Sequence, residues 1–344
     1  MKKNNKKLNF AVIGAGYWGP NLIRVIEHNY DCELKIVIDK DKEKLNELSK
    51  KFKNLKTDVN IQSVFNENVD IVVVATPPET HYQIAMSMLQ NNLNLLVTKP
   101  LCLSISDAED IYNLAIKNKL DIFIDETFIY SNQVIELKKY VSDKENFGDI
   151  TFIDSNRVNL GLFQQNTNVI WDLAPHDIAI SSFVLEEYPS KVRATSINAL
   201  KIPDTNESYA TCEYYFSKSD VMMTSLLSWL SPVKSRRMVF GGTKQTIIYD
   251  HLDYEAPLKI FNQEVLTKKI GEITNYDYSI GSQFIPHIKL KEPLVNEIEE
   301  IINYYKFGNK IFADKKHSFN SVSILESLID SAKSGGKYKQ VKLI

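Results

Sequence analysis

Apolar residues in the first third of the chain fall in short unbroken runs separated by helical patterns. Phe10–Gly14, Leu34–Asp39, Val69–Ala75, Leu93–Thr98 and Leu120–Asp125 are such runs. Unbroken runs of this length suit parallel strands buried on both faces. Between them, Leu45, Leu48 and Phe52 share one helical face, and Ile84, Ala85, Met88 and Leu89 share another. Ser106 with Glu109 reads as a capping box ahead of Ile111, Leu114 and Ala115. Strand and helix alternating in this way predict a doubly wound α/β fold with a parallel sheet.

The pattern changes near residue 128. Tyr209–Phe216 and Val221–Leu230 alternate with period two around Ser-Lys-Ser-Asp, and Arg236–Phe240 and Gln245–Tyr249 flank Gly-Gly-Thr-Lys. These predict long antiparallel hairpins. One helix is expected after Asp172, with two more over Leu294–Tyr305 and Ser321–Ala332. The chain therefore divides into residues 1–127, a doubly wound α/β domain, and residues 128–344, an α+β domain with an open antiparallel sheet. A sheet with helices on one face leaves the other needing cover. That favours a homodimer or homotetramer formed through the C-terminal sheet.

Composition narrows the function classes. The chain has 344 residues, 44% hydrophobic and 24% charged, with a formal net charge of −2. Nothing in that balance favours nucleic acid as a partner. The basic start, Met1 to Lys7, reads as a solvated tail, because Phe10–Ile13 is too short for the apolar core of a signal peptide. No run approaches the ~18 apolar residues of a membrane span. The three cysteines, Cys32, Cys102 and Cys212, form neither a disulfide framework nor a metal pattern. The expectation is a cytoplasmic protein with no metal and no membrane partner.

The candidate chemistry begins at Gly14-Ala15-Gly16-Tyr17-Trp18-Gly19, which satisfies G-x-G-x-x-G. The first glycine permits a tight turn, the second lets a pyrophosphate approach the backbone, and the third lets helix and strand pack closely. The helix opening at Pro20 would offer free N–H groups to phosphates. The motif alone is weak, but it follows a strand, opens a helix and is trailed by Asp39, 20 residues after Gly19. An acid there suits the adenosine ribose hydroxyls. Asp39 favours NAD over NADP by repelling a 2′-phosphate. Lys40 and Lys42 soften that preference, so NADP stays open.

Two further turns lie at carboxyl ends of strands, where ligands bind in such sheets. Thr76-Pro77-Pro78-Glu79-Thr80-His81 is a rigid turn suited to the nicotinamide half of a dinucleotide; Thr80 reads as the cap of the next helix. His81 either bonds the ligand or sits in the first helical turn. In Thr98-Lys99-Pro100, a lysine at a buried strand end needs a charged or polar partner, unless it reaches the surface. In the second domain, Asp172 and His176 are four apart and share a helical face. They form either an acid/base pair or an N-cap aspartate with a surface histidine, and spacing alone favours the latter. Asp125, Glu126, Tyr130, Arg157 and Asn159 are further polar candidates without a spacing argument.

Taken in order, GAGYWG at Gly14, VVVATPPETH ending at His81, TKP at Thr98, WDLAPHD at Trp171 and SGGKYKQVKL from Ser334 to Leu343 resemble the glucose–fructose oxidoreductase/inositol dehydrogenase (Gfo/Idh/MocA) family over nearly the whole chain. The resemblance implies an N-terminal Rossmann domain and an NAD(P)-dependent dehydrogenase or reductase of sugars, cyclitols or nucleotide-linked sugars. It implies cofactor contacts at Gly14, Gly16, Tyr17, Trp18, Gly19, Asp39, Thr76, Pro77, Pro78, His81, Lys99 and Pro100. It also implies a catalytic set of Lys99, Asp172 and His176, which reverses the bland reading of the Asp172–His176 pair. Lys99–Pro100 is expected to be cis, as in many members. Two departures stand out: Thr98 replaces the family's glutamate before the lysine, and Ala179 replaces an acid three residues after the histidine. Asp177 either substitutes for that acid or is structural.

The motif forms point to a small-molecule substrate, a nucleotide-linked sugar of surface-glycan synthesis oxidised or reduced at a ring carbon between the domains. The alternatives are an inositol or free-sugar dehydrogenase, a non-catalytic NAD-binding regulator, and a hydrolase that oxidises its sugar transiently.

Overall fold

The computed structural model describes residues 7–161, 163, 167–201, 206–270 and 273–344, without the side chains of residues 270 and 280. The start of the basic tail, through residue 6, lies outside the described residues. The chain forms two compact units, one of residues 1–130, 292–322 and 344, the other of residues 131–291 and 323–343.

The first unit is built on the apolar runs. Strands β1 (Leu8–Ile13), β2 (Cys32–Ile38), β3 (Thr57–Asp58), β4 (Ile71–Val74), β5 (Asn94–Thr98) and β6 (Ile122–Asp125) form one parallel sheet in the order β3-β2-β1-β4-β5-β6. Residues 71–74 and 95–97 are wholly buried, as strands with helices on both faces require. Helices α1 (Gly19–Glu27), α2 (Lys42–Lys51), α3 (His81–Gln90) and α4 (Ile105–Asn118) make the crossovers. Reversal of strand order at β1 and β4 creates the switch point at which such sheets bind ligands.

Two helix starts differ from the sequence reading. The cap of α4 is Ser104, whose hydroxyl accepts from the Asp107 amide at 3.1 Å, so the capping pattern sits two residues earlier than Ser106–Glu109. Ser104 is extended and able to cap, whereas Ser106 is already inside the helix. Thr80 precedes α3 but caps nothing with its side chain; its hydroxyl donates to the Pro77 carbonyl and the Thr76 hydroxyl, both at 2.7 Å.

The second unit contains α5 (Asn132–Ser142), β7 (Ile150–Leu160), α6 (Val169–Leu185), and strands β8 (Lys191–Ile197), β9 (Tyr209–Phe216), β10 (Val221–Ser228), β11 (Leu230–Gly242), β12 (Gln245–Asp250), β13 (Leu258–Ile270) and β14 (Ile273–Phe284). The expected hairpins β9–β10 and β11–β12 are both present. The sheet is open and mixed, because β10 lies parallel to β7 while its other pairs are antiparallel. The crossover through α6 brings the chain back in the same direction.

The chain then forms α7 (Pro293–Phe307), α8 (Lys315–Lys333) and β15 (Lys339–Gln340), the last pairing with β8. A single division after residue 127 assigns α7 to the second domain, yet α7 packs in the first unit. Leu294, Ile298, Ile301 and Ile302 join one core cluster with Leu22, Ile26, Val37, Leu96 and Phe123. Their spacing is that of an amphipathic helix, which tells which face is buried but not against what.

Candidate active site

Three turns meet along the carboxyl edge of the first unit's sheet. Gly14 has φ +104°, and a Cβ there would lie 2.4 Å from the Ala75 carbonyl oxygen and 2.9 Å from the Thr76 nitrogen. The glycine turn therefore lies directly against the Thr76–Pro78 turn. A Cβ on Gly19 would meet the Gly14 carbonyl at 2.1 Å, so the third glycine lets α1 close onto the turn. Around Gly16 a Cβ would find open space, leaving the backbone face accessible to a phosphate. These features fit the dinucleotide expected there. Tyr17 is 92% exposed beside it.

Asp39 follows β2 and braces the same turn. One carboxylate oxygen accepts from the Ala15 amide at 2.6 Å and the other from the Asp41 amide at 2.9 Å. Trp18 turns its indole inward, and its Nε1 donates to the buried Asp125 carboxylate at the end of β6.

His81 is turned into the first unit. It is fully buried, with Nδ1 2.8 Å from the Pro100 carbonyl and Nε2 2.8 Å from the Thr76 carbonyl. Burial lowers its pKa, with the two carbonyls pulling the other way. The imidazole lies between the Thr76–Pro78 turn and the Lys99–Pro100 turn, one ring nitrogen against a carbonyl of each. Pro77 is exposed and Pro78 half-buried. Lys99–Pro100 is the chain's cis peptide among the described residues; Lys99 is half-buried and Pro100 buried. The Thr98 hydroxyl donates back to the Val74 carbonyl at 3.2 Å and is satisfied within the sheet.

The second unit carries the other candidates on α6. Asn168 is the cap, accepting from the Ile170 and Trp171 amides at 3.1 Å each. Asp172 is therefore within the helix rather than capping it, and it accepts from Trp229 Nε1 at 3.0 Å. His176 lies one turn on, half-buried, with Nδ1 turned away from solvent. Pro175, buried between them, has no N–H to offer the Trp171 carbonyl.

Asp177 is structural. Its carboxylate, wholly buried, accepts from Arg157 Nε at 2.7 Å, Ser155 Oγ at 2.8 Å and Ser225 Oγ at 3.2 Å. Arg157 is thereby fixed in the core, and Asn159 is half-buried two residues along β7. Ala179 is buried, with no space at solvent for an acid.

One residue was missed from sequence. Glu297 on α7 is fully buried, and its two carboxyl oxygens are buried without a hydrogen-bond partner. An acid inside the apolar stripe Leu294–Ile298–Ile301 was the available signal. Burial, with Asp125 and Glu126 nearby, drives its pKa well above the usual carboxylate range. Among the described residues, no group of three or more His, Cys, Asp or Glu could hold a metal ion, and no helix is long and apolar enough to cross a membrane.

Comparison with known proteins agrees with this geometry. Residues 8–125 match the family model described as "Oxidoreductase family, NAD-binding Rossmann fold" (Gfo/Idh/MocA). An uncharacterized oxidoreductase of Streptococcus pneumoniae is 22% identical over 281 residues, covering 75% of this chain and 72% of that protein. GenD2 from gentamicin A biosynthesis, solved in complex with NAD, shares the fold with a TM-score of 0.80 at 19% identity, covering 98% of this chain and 97% of that one. A UDP-N-acetylglucosamine 3-dehydrogenase from Acidithiobacillus ferrooxidans shares it with a TM-score of 0.77 at 19% identity, covering 95% and 98%. Residues 8–125 thus match the NAD-binding Rossmann domain of the Gfo/Idh/MocA oxidoreductases, and nearly the whole chain shares the fold of solved oxidoreductases.

Proposed function

We propose that this protein is an NAD-dependent sugar dehydrogenase or reductase acting at a ring carbon of a nucleotide-linked sugar. The observation that carries the reading is the joined edge of the first unit, where the glycine turn, the Thr76–Pro78 turn and the Lys99–Pro100 turn are packed and hydrogen-bonded into one surface. Such an edge holds a dinucleotide along its length and leaves a lysine at the nicotinamide end. The likeness in fold to a UDP-N-acetylglucosamine 3-dehydrogenase supports the substrate class.

A bound nicotinamide supplies the hydride acceptor or donor. His176 takes the proton of the substrate hydroxyl, and Asp172, anchored on Trp229, orients the imidazole. Lys99 hydrogen-bonds the same oxygen and stabilises the alkoxide charge that develops there. In the reductive direction, the same groups return the proton. The unit of residues 1–130 and 292–322 serves for the cofactor, and the unit of residues 131–291 and 323–343 for substrate and assembly. The sheet face bearing Phe152 and Met222, 40% and 50% exposed, serves for homo-oligomer formation.

The test is turnover of candidate nucleotide sugars with NAD, using Lys99→Ala and His176→Ala. Each should lower kcat on the order of 10²–10⁴-fold with NADH binding retained. Substantial turnover by both variants overturns the assignment. Turnover of inositols in place of nucleotide sugars overturns the substrate class alone.

A further inference from the structure

One row of side chains in the second unit has no part in the proposed chemistry. Arg236 on β11 lies directly opposite Arg157 on β7, as Met238 lies opposite Ser155. Residues paired in this way share a sheet face. Ser155 and Arg157 both donate to Asp177 on α6, so Arg236 points to the face that α6 packs on. On the other flank, the His251 amide donates to the Arg236 carbonyl at 3.0 Å. That bond carries the β11–β12 register one step past Arg237–Asp250 and sets His251 opposite Arg236. Arg157, Arg236 and His251 therefore form a cross-strand row over β7, β11 and β12, with strands about 4.8 Å apart. Lys234 is exposed two residues before Arg236. The row starts beside the proposed catalytic pair, because Asp177 directly follows His176 on α6.

Like charges directly opposite one another destabilise a sheet, and such local conflicts gather at functional sites. Arg157 is reconciled with the core by Asp177, whose carboxylate also takes Ser155 and Ser225. Asp172, the other acid near Arg236, accepts from Trp229 Nε1. The titrating groups report a positive field along the row. Burial first, then Arg236, Arg157 and Lys234, lower His251 to about 4, with Asp250 pulling the other way. Burial and then Arg157 lower the Arg236 pKa, against Tyr249, Tyr254 and Asp172. Arg157 is 3% exposed, whereas Arg236 and His251 are half-buried and within a solute's reach. A guanidinium presents parallel N–H groups that match the two oxygens of a carboxylate or a phosphate.

We propose that Arg236, flanked by His251 and Lys234, is a specificity residue that receives an oxyanion of the substrate. The substrate class narrows to sugars that carry a carboxylate or a phosphate, the latter including the diphosphate of a nucleotide-linked sugar. The anion lies on the outer part of the row, and the carbon that exchanges hydride points back toward His176. The proposal deepens the sugar-dehydrogenase reading and rests on it for the place of that carbon.

Calorimetric titration with UDP-glucose, glucuronate and methyl glucoside, with and without NADH, tests it. One of the anionic probes should bind the wild type on the order of ten-fold or more tightly than the neutral glucoside. Preference for UDP-glucose identifies phosphate as the oxyanion, and preference for glucuronate identifies carboxylate. Arg236→Gln should abolish the preference, and Arg236→Lys, which keeps the charge without the fork, should keep part of it. A merely structural arginine would weaken all the probes alike and leave their ratio unchanged. The bound oxyanion should also raise the His251 pKa, followed by NMR of the imidazole. Lys234→Gln, at an exposed position, should reduce the preference about two-fold and serves if Arg236→Gln does not fold. Equal affinities for the probes in the wild type, an unchanged ratio in Arg236→Gln, or no rise at His251 overturns the proposal. The dehydrogenase reading falls separately, on turnover by Lys99→Ala and His176→Ala, neither of which alters the row.

Discussion

The Ala15 amide donates to the Asp39 carboxylate at 2.6 Å, so the acid that would select the adenosine ribose also braces the glycine turn. The two roles separate by substitution. Asp39→Asn keeps an acceptor for Ala15 and removes the charge that repels a 2′-phosphate; Asp39→Ala removes both. Calorimetric titration should show the NADPH-to-NADH Kd ratio falling on the order of ten-fold in both variants. NADH affinity itself should fall further in Asp39→Ala. Equal NADH affinity in the two variants would show that the bond to Ala15 does not support the turn.

Two buried histidines should steepen the acid limb of stability. Burial lowers His317 to about 3, and burial with Arg236, Arg157 and Lys234 nearby lowers His251 to about 4, from an ordinary 6.5. Each prefers the neutral ring in the folded state. Its contribution is complete above the unfolded value and is lost as pH falls through the folded one. Glu297 has the opposite sign: its raised folded pKa gives stability that is present below 4.5 and lost as pH rises through that folded value. Urea unfolding across pH from about 4 to 9 should show a shallower acid limb in His317→Gln and a shallower alkaline limb in Glu297→Gln. Limbs of unchanged slope would mean that other groups govern them.

The Arg157–Asp177 pair should be the most sensitive polar contact in the second unit. Both side chains are buried and Asp177 also receives two serine hydroxyls. Asp177→Ala leaves a guanidinium charge in the core, and the expected loss is about 3–5 kcal/mol in urea unfolding. A loss below about 1 kcal/mol, the range of exposed pairs, would show that water reaches Arg157.

The doubly wound sheet was legible because strands buried on both faces leave unbroken apolar runs, and the glycine turn because each glycine answers a separate steric demand. Local capping was read less well. Ser104–Asp107 and Ser106–Glu109 carry the same pattern two residues apart, and only the extended backbone at Ser104 distinguishes them. Asp172 looked like a cap until Asn168 proved to fill that position. His81 shows the same limit at longer range: nothing adjacent in sequence announces that its two carbonyl partners belong to Thr76 and Pro100. The partner of α7 was hidden for a different reason, since an apolar stripe has no address.

That returning helix gives the cofactor domain a split origin. Because residues 292–322 complete the first unit, a ribosome that has released residues 1–130 has released a sheet with one flank still bare. The domain made first is finished almost last, after the whole of the intervening unit has been synthesised. A fragment cut at residue 130 would leave Phe123 and its neighbours facing water where Leu294, Ile298 and Ile301 should lie. Its natural fate in the test tube is aggregation, so separate expression of a cofactor-binding piece calls for grafting the returning segment onto it.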